Sequence, residues 1–220
     1  IAEEVSPKLT EYSMYVSLNE KLFQRVKAVY EKKDSLGLEQ DQMRILENSY
    51  RSFTRSGANL NADDKAEYSR MSEELSLATL AFSKNVLAAT NAYTLNVTDS
   101  ADLAGLPSYA VESAAETAKE KNLDGWAFTL DYPSYGPFMK FSKVRELRRQ
   151  MYMAYNTRAE SGEFSNIDNV RKIVDLRIKT ADILGYATYA DYALEERMAK
   201  NPDTVNEFLA RLVIPSLPFA

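Results

Sequence analysis

Between Asn61 and Ala92 the chain carries a helical pattern, with Tyr68, Met71, Leu75, Ala78, Phe82, Val86 and Ala89 recurring at steps of three and four. Apolar residues at that period line one face of a long α-helix, which must be covered by neighbouring elements. Asn61-Ala-Asp-Asp64 gives the start: Asn caps the first free N–H groups, and the acids lie where the helix dipole favours them. A helix of this length predicts other helices packed along it, joined by short links.

The flanking sequence supplies them. From Ile1 to about Lys33, Leu9, Leu18, Leu22, Val26 and Val29 predict helix, with Pro7 marking a break or first turn and Gly37 the terminating left-handed residue. Met43, Leu46, Tyr50 and Phe53 place a second helix over about Glu39 to Ser56, closed by Gly57. The passage "TLNVTDSADLAGLPSYA" suits turns, and a short helix follows from about Ser108 to Lys121, with Pro107 fixing its approach. Helix resumes from about Lys143 to Ser161, on the side of Val144, Leu147, Met151, Ala154 and Tyr155. Asn166 opens another, with Val170, Ile173, Val174, Ala181 and Leu184 inward, ended by Gly185. Thr188 caps a segment with Tyr189, Tyr192, Ala193 and Met198, and Asn201-Pro202 begins a last helix striped by Val205, Phe208, Leu209 and Leu212.

One stretch breaks the pattern. "GWAFTLDYPSYGPFM", Gly125 to Met139, holds the single Trp, and its run Trp126 to Leu130 reads as a strand. Trp126, Phe128 and Leu130 alternate onto one face, and Pro133 and Pro137 read as rigid turns leading into the next helix. The expected fold is therefore all-α, a bundle-like array with one short strand-like insertion, forming one unit without internal repeats or low-complexity linkers.

Composition narrows the chemistry. The chain has no Cys and no His, which excludes disulfides, thiolate nucleophiles, Cys- or His-based zinc sites and the usual general base. A net charge of −5, with basic and acidic groups interleaved, argues against a nucleic-acid surface. No apolar run approaches the roughly 20 residues that cross a bilayer. Neither nucleic acid nor membrane is an expected partner. Both ends, a helical start without Met and a close on "VIPSLPFA", look cut from something longer.

Several local features admit a plain structural reading. The acidic doublets Glu3-Glu4, Asp63-Asp64, Glu73-Glu74 and Glu195-Glu196 diverge by about 100° on a helix and suit a solvated face rather than a shared site. Arg177 falls seven residues after Val170 on an apolar face, where it needs a carboxylate or backbone partner from another element, and a structural ion pair is favoured over substrate binding. Asn96-Val-Thr98 matches a glycosylation acceptor triplet, a short pattern that arises often by chance. Tyr132, Tyr135, Tyr152, Tyr155, Tyr186, Tyr189 and Tyr192 fit either core-edge residues or a peptide-binding wall, since each offers a flat apolar ring with a hydrogen-bonding tip.

Longer segments carry a resemblance. "GWAFTLDYPSYGPFM", "RELRRQMYMAYNTRA" at Arg145 to Ala159, "NVRKIVDLRIKTADILGYATYADYALEERMA" at Asn169 to Ala199, and "VNEFLARL" at Val205 to Leu212 resemble the N-terminal half of bacterial peptidyl-dipeptidases, or dipeptidyl carboxypeptidases. These belong to the thimet oligopeptidase family of zinc metallopeptidases. "EEVSPKLTEYSMYVSLNEKLFQRVKAVYE" is similar to the helical opening of the same enzymes, so the likeness spans nearly the whole chain.

The resemblance implies a mostly helical, zincin-like enzyme of two lobes around a deep channel, with zinc held by H-E-x-x-H and a downstream Glu. Without His, none of those residues is carried over: no catalytic and no metal-binding residue is expected here. Residues 1–220 are expected to be the helical N-terminal region, truncated before the zinc-binding segment and walling the substrate channel. The implied partners are oligopeptides and the C-terminal catalytic region of the same chain. Tyr132 and Tyr135 are the candidate substrate-binding residues, and zinc is expected in the full-length enzyme but not in this portion. The implied compartment is the cytoplasm, with the periplasm as alternative. A stand-alone helical interaction domain without enzymatic activity fits the missing His equally well.

Overall fold

The long pattern after Asn61 folds as expected, and everything else is arranged around shorter helices. A computed structural model describes residues 2–219. Its helices are α1 (Ala2–Ser17), α2 (Glu20–Tyr30), α3 (Gln40–Arg55), α4 (Ala62–Ala92), α5 (Ser108–Glu120), α6 (Tyr132–Phe141), α7 (Arg145–Asn156), α8 (Ile167–Ile183), α9 (Tyr189–Leu194) and α10 (Pro202–Ser216). Two three-residue strands, β1 (Leu95–Val97) and β2 (Trp126–Phe128), form the one sheet among the described residues. The fold is mostly helical, in agreement with the expected class. It divides into two compact units where the sequence reads as one: residues up to Thr79 with those from Arg171 onward, and Leu80–Val170.

In the first unit, the opening helix breaks at Asn19 and not at Pro7. Pro7 lies inside α1, where one missing backbone donor near the start does not end the helix. Asn19 is extended and accepts the Leu22 N–H on its side chain at 3.0 Å, so a second helix begins there. α2 and α3 pack through aromatic rings. Phe23 is buried and lies 5.9 Å from Tyr50 and 5.9 Å from Phe53, while Tyr30 stacks on Tyr50 at 3.9 Å. Lys33 covers the edge of this cluster, 4.6 Å from the Tyr30 ring and paired with Glu47 at 2.7 Å. Gly57 turns the chain at φ 83°, and a Cβ there would stand 2.9 Å from the Leu60 side chain.

In the second unit, β2 exists because β1 pairs with it. The register is antiparallel, Leu95 opposite Phe128, Asn96 opposite Ala127, Val97 opposite Trp126. A lone strand would leave its backbone groups unpaired, and the partner comes from the passage expected to be only turns. Gly125 opens β2 at φ 83°, where a Cβ would stand 2.2 Å from the Val97 carbonyl oxygen. The core holds Leu95, Val97, Ala114, Phe128, Leu130, Phe138 and Met151, with Phe138 meeting Phe128 edge-on at 4.6 Å. Both faces of β2 are covered, since Ala127 is as buried as Phe128.

The expected rigid turns after β2 are instead helix α6. Asp131 is extended, and its carbonyl accepts from the Ser134 and Tyr135 N–H groups. Pro133 occupies the first turn, where its missing N–H is no loss. Pro137 lies further in and forfeits a bond to the Pro133 carbonyl, a cost the buried Phe138 beside it offsets.

Three further expectations are corrected. In α8 the buried residues are Ile173, Leu176, Thr180 and Ala181, whereas Val170 and Val174 are exposed. Arg177 accordingly lies on an exposed face and rests 5.2 Å from the Tyr189 ring instead of in a buried ion pair, while Asp175 pairs with Lys179. α9 ends at Leu194, before Met198, which is fully exposed. Thr188 and Asn201 do cap α9 and α10, their side chains accepting the Asp191 and Thr204 N–H groups. On α10, Phe208, Leu209, Leu212, Val213 and Ile214 are all about half exposed or more.

Candidate functional site

Tyr132 and Tyr135 stand three residues apart near the start of α6, on one side of the helix. Tyr152 and Tyr155 repeat that spacing on α7, and α6 packs on α7. The two pairs meet where Tyr135 stacks on Tyr155, ring centroids 4.1 Å apart and planes 17° from parallel. The Arg158 guanidinium lies 3.8 Å from the Tyr155 ring centre, and it donates to the Tyr155 carbonyl.

The structure separates the two candidates by environment. Tyr132 is 77% exposed. Tyr135 is half-buried, packed against the core of its unit. Burial pushes the Tyr135 hydroxyl above its usual pKa, reinforced by Tyr155 and Tyr152 and opposed by Arg158 and an Asn156 hydrogen bond. The Tyr135 hydroxyl is thereby held further from acting as a base near neutral pH. The patch can bind by ring contact and hydrogen bonding, without supplying acid–base chemistry. Sequence reasoning found the tyrosines but missed Arg158 as their companion; the repeated Tyr-x-x-Tyr in α6 and α7 was the available signal.

A second polar cluster lies in the first unit. Arg55, at the end of α3, pairs with Glu195 and, at 3.6 Å, with Glu196. It also donates to the Tyr192 carbonyl at 2.8 Å and the Tyr186 hydroxyl at 3.2 Å, and Tyr186 donates to Glu195 at 2.7 Å. Every group has a partner within the cluster, so it fastens α9 to α3. The doublet Glu195-Glu196, expected to be solvated, supplies both carboxylates.

The residues of this chain do not fit the implied zinc. His and Cys are lacking, and among the described residues no group of three or more acidic side chains is placed to hold a metal ion. Likewise, no helix among them is long and apolar enough to cross a membrane.

Comparison with known proteins agrees with the resemblance at the level of the family. Residues 138–220 match the model of peptidase family M3. Oligopeptidase A of Haemophilus influenzae is 36% identical over 217 residues, covering 96% of this chain and 32% of that protein. Oligopeptidase A of Escherichia coli is 35% identical, over 98% of this chain and 32% of that protein. Dipeptidyl carboxypeptidase of Escherichia coli is 32% identical, over 96% of this chain and 31% of that protein. The chain thus spans about a third of the length of the curated relatives it matches. Together these similarities support peptidase family M3 and do not favour dipeptidyl carboxypeptidase over oligopeptidase A.

Proposed function

We propose that this chain is the non-catalytic helical portion of a zinc metallopeptidase that releases dipeptides from the C-termini of oligopeptides, and that it forms a wall of the substrate channel. The observation that carries the reading is similarity along nearly the whole chain to peptidases about three times as long. The zinc and its activated water belong to the part of the enzyme outside this sequence, because no residue here fits them. What this chain supplies is surface: rings of Tyr132 and Tyr135 to contact the peptide, and rigid helices to hold them.

α10 supports the same reading. Phe208, Leu209, Leu212, Val213 and Ile214 keep between 49% and 68% of their surface exposed, and they occupy more than one side of the helix. A helix apolar on several sides is built to be enclosed. Its proposed cover is the C-terminal catalytic region of the same enzyme. The proposed compartment is the cytoplasm, in line with a relative named probable cytosolic oligopeptidase A from Arabidopsis thaliana.

The test is product analysis with the full-length enzyme carrying this sequence. Oligopeptides with a free C-terminus are expected to lose dipeptides successively, and C-terminal amidation and metal chelation are each expected to stop the release. Internal cleavage that is indifferent to amidation would replace dipeptide release with an endopeptidase activity. Absence of any metal-dependent cleavage would overturn the whole reading.

A further inference from the structure

Gly136 has a particular relation to Tyr132. A Cβ on residue 136 would meet three atoms of the Tyr132 ring at 3.5, 3.6 and 3.7 Å. Near-equal distances to several ring atoms mean that the ring presents its face to the helix backbone at Gly136. Its other face, with most of its surface exposed, points to solvent. Tyr132 is therefore a flat ring backed by helix α6.

Tyr155 and Tyr135 offer less free ring face than Tyr132. Tyr155 has Tyr135 on it at 4.1 Å and the Arg158 guanidinium at 3.8 Å, so its π surface is already engaged. Tyr135 is engaged by that same contact and by the core of its unit. These contacts hold α6 against α7. A ring that already lies against its own helix has less conformational freedom to lose when another ring settles on it.

We propose that Tyr132 is a specificity-determining platform that favours oligopeptides bearing an aromatic side chain or proline at the position it contacts. This rests on the reading of the chain as a wall of the substrate channel. Offset stacking of an aromatic side chain, or packing of the C–H groups of a pyrrolidine ring on the ring face, uses the solvent-facing side of Tyr132. An aliphatic side chain of similar size gains area there but no ring-on-ring alignment.

The deciding experiment measures KM and kcat in the full-length peptidase for a series of peptides that carry Phe, Pro, Leu or Ala at each position in turn. Tyr132→Ala is expected to raise KM by roughly 2- to 12-fold for Phe and Pro peptides at one position. The rise should be smaller for Leu peptides, which lose contact area only, and smallest for Ala peptides. Tyr132→Phe should retain the preference, because the ring and not the hydroxyl supplies it. An equal rise in KM for all four residues would overturn the selectivity and leave Tyr132 as a general channel contact. No change for any peptide would overturn both the platform and the place of Tyr132 in the channel.

Discussion

Phe138 and Phe208 are the same residue type on helices of similar apolar content, yet Phe138 has no exposed surface and Phe208 keeps 53% of its own. Phe138 meets Phe128 of β2, and its helix packs on α5 and α7, all within a short stretch of chain. α10 has chiefly α9 and the turn after it as company. An apolar stripe states that a helix needs cover. Whether it finds any depends on what else the chain brings to it.

That contrast can be broken most forcefully at Phe138. Phe138→Ala should cost about 3–5 kcal/mol of stability, because it empties a fully enclosed site in a core of few large side chains. Urea unfolding of the 220-residue chain measures it, and a loss below about 1 kcal/mol would mean that this core is far looser than its packing indicates.

A middling effect belongs to Tyr68, in the other unit. Burial pushes its hydroxyl up to about 12, with Tyr192 adding to the rise. The folded state therefore holds the proton more tightly than the unfolded chain, whose tyrosine titrates near 10. Its stabilisation is complete below about pH 10 and declines by about 1.4 kcal/mol per unit as pH rises from there toward 12. Tyr68→Phe should flatten that segment of a stability–pH curve. An unaltered alkaline slope in the variant would assign it to other groups.

The smallest effect is expected on α10. Replacing Phe208 and Leu212 together by Gln should change the stability of this chain by less than about 1 kcal/mol, since both are already half exposed. In the full-length enzyme proposed above, the same pair should cost several times more. Equal small effects in both would remove the reason to regard α10 as an enclosed helix.

Much of the architecture was legible in local chemistry. Asn61, Thr188 and Asn201 accept the N–H groups of Asp64, Asp191 and Thr204 as their positions predict, because a cap is decided by three or four consecutive residues. What escaped was decided at a distance. β1 is three residues long, too short to show alternation, and is a strand only because β2 pairs with it. α6 was hidden by its prolines and Gly136, whose usual meaning is overridden by an Asp131 start and a buried Phe138. The inward face of α8 was misplaced toward Val170 and Val174, since a helix with apolar residues on two sides does not announce which side is covered. For the candidate site, the tyrosines were visible as a pattern, but the stacking of Tyr135 on Tyr155 depends on how two helices cross.

The sole Trp has an optical consequence. Trp126 is partly buried against the core of the second unit, opposite Val97 in the two-stranded sheet. Its emission reports the solvation of that core. Far-ultraviolet circular dichroism, by contrast, sums helices from both units. Coincident fluorescence and dichroism transitions would show the two units melting as one cooperative body, and separated transitions would reveal which of them yields first.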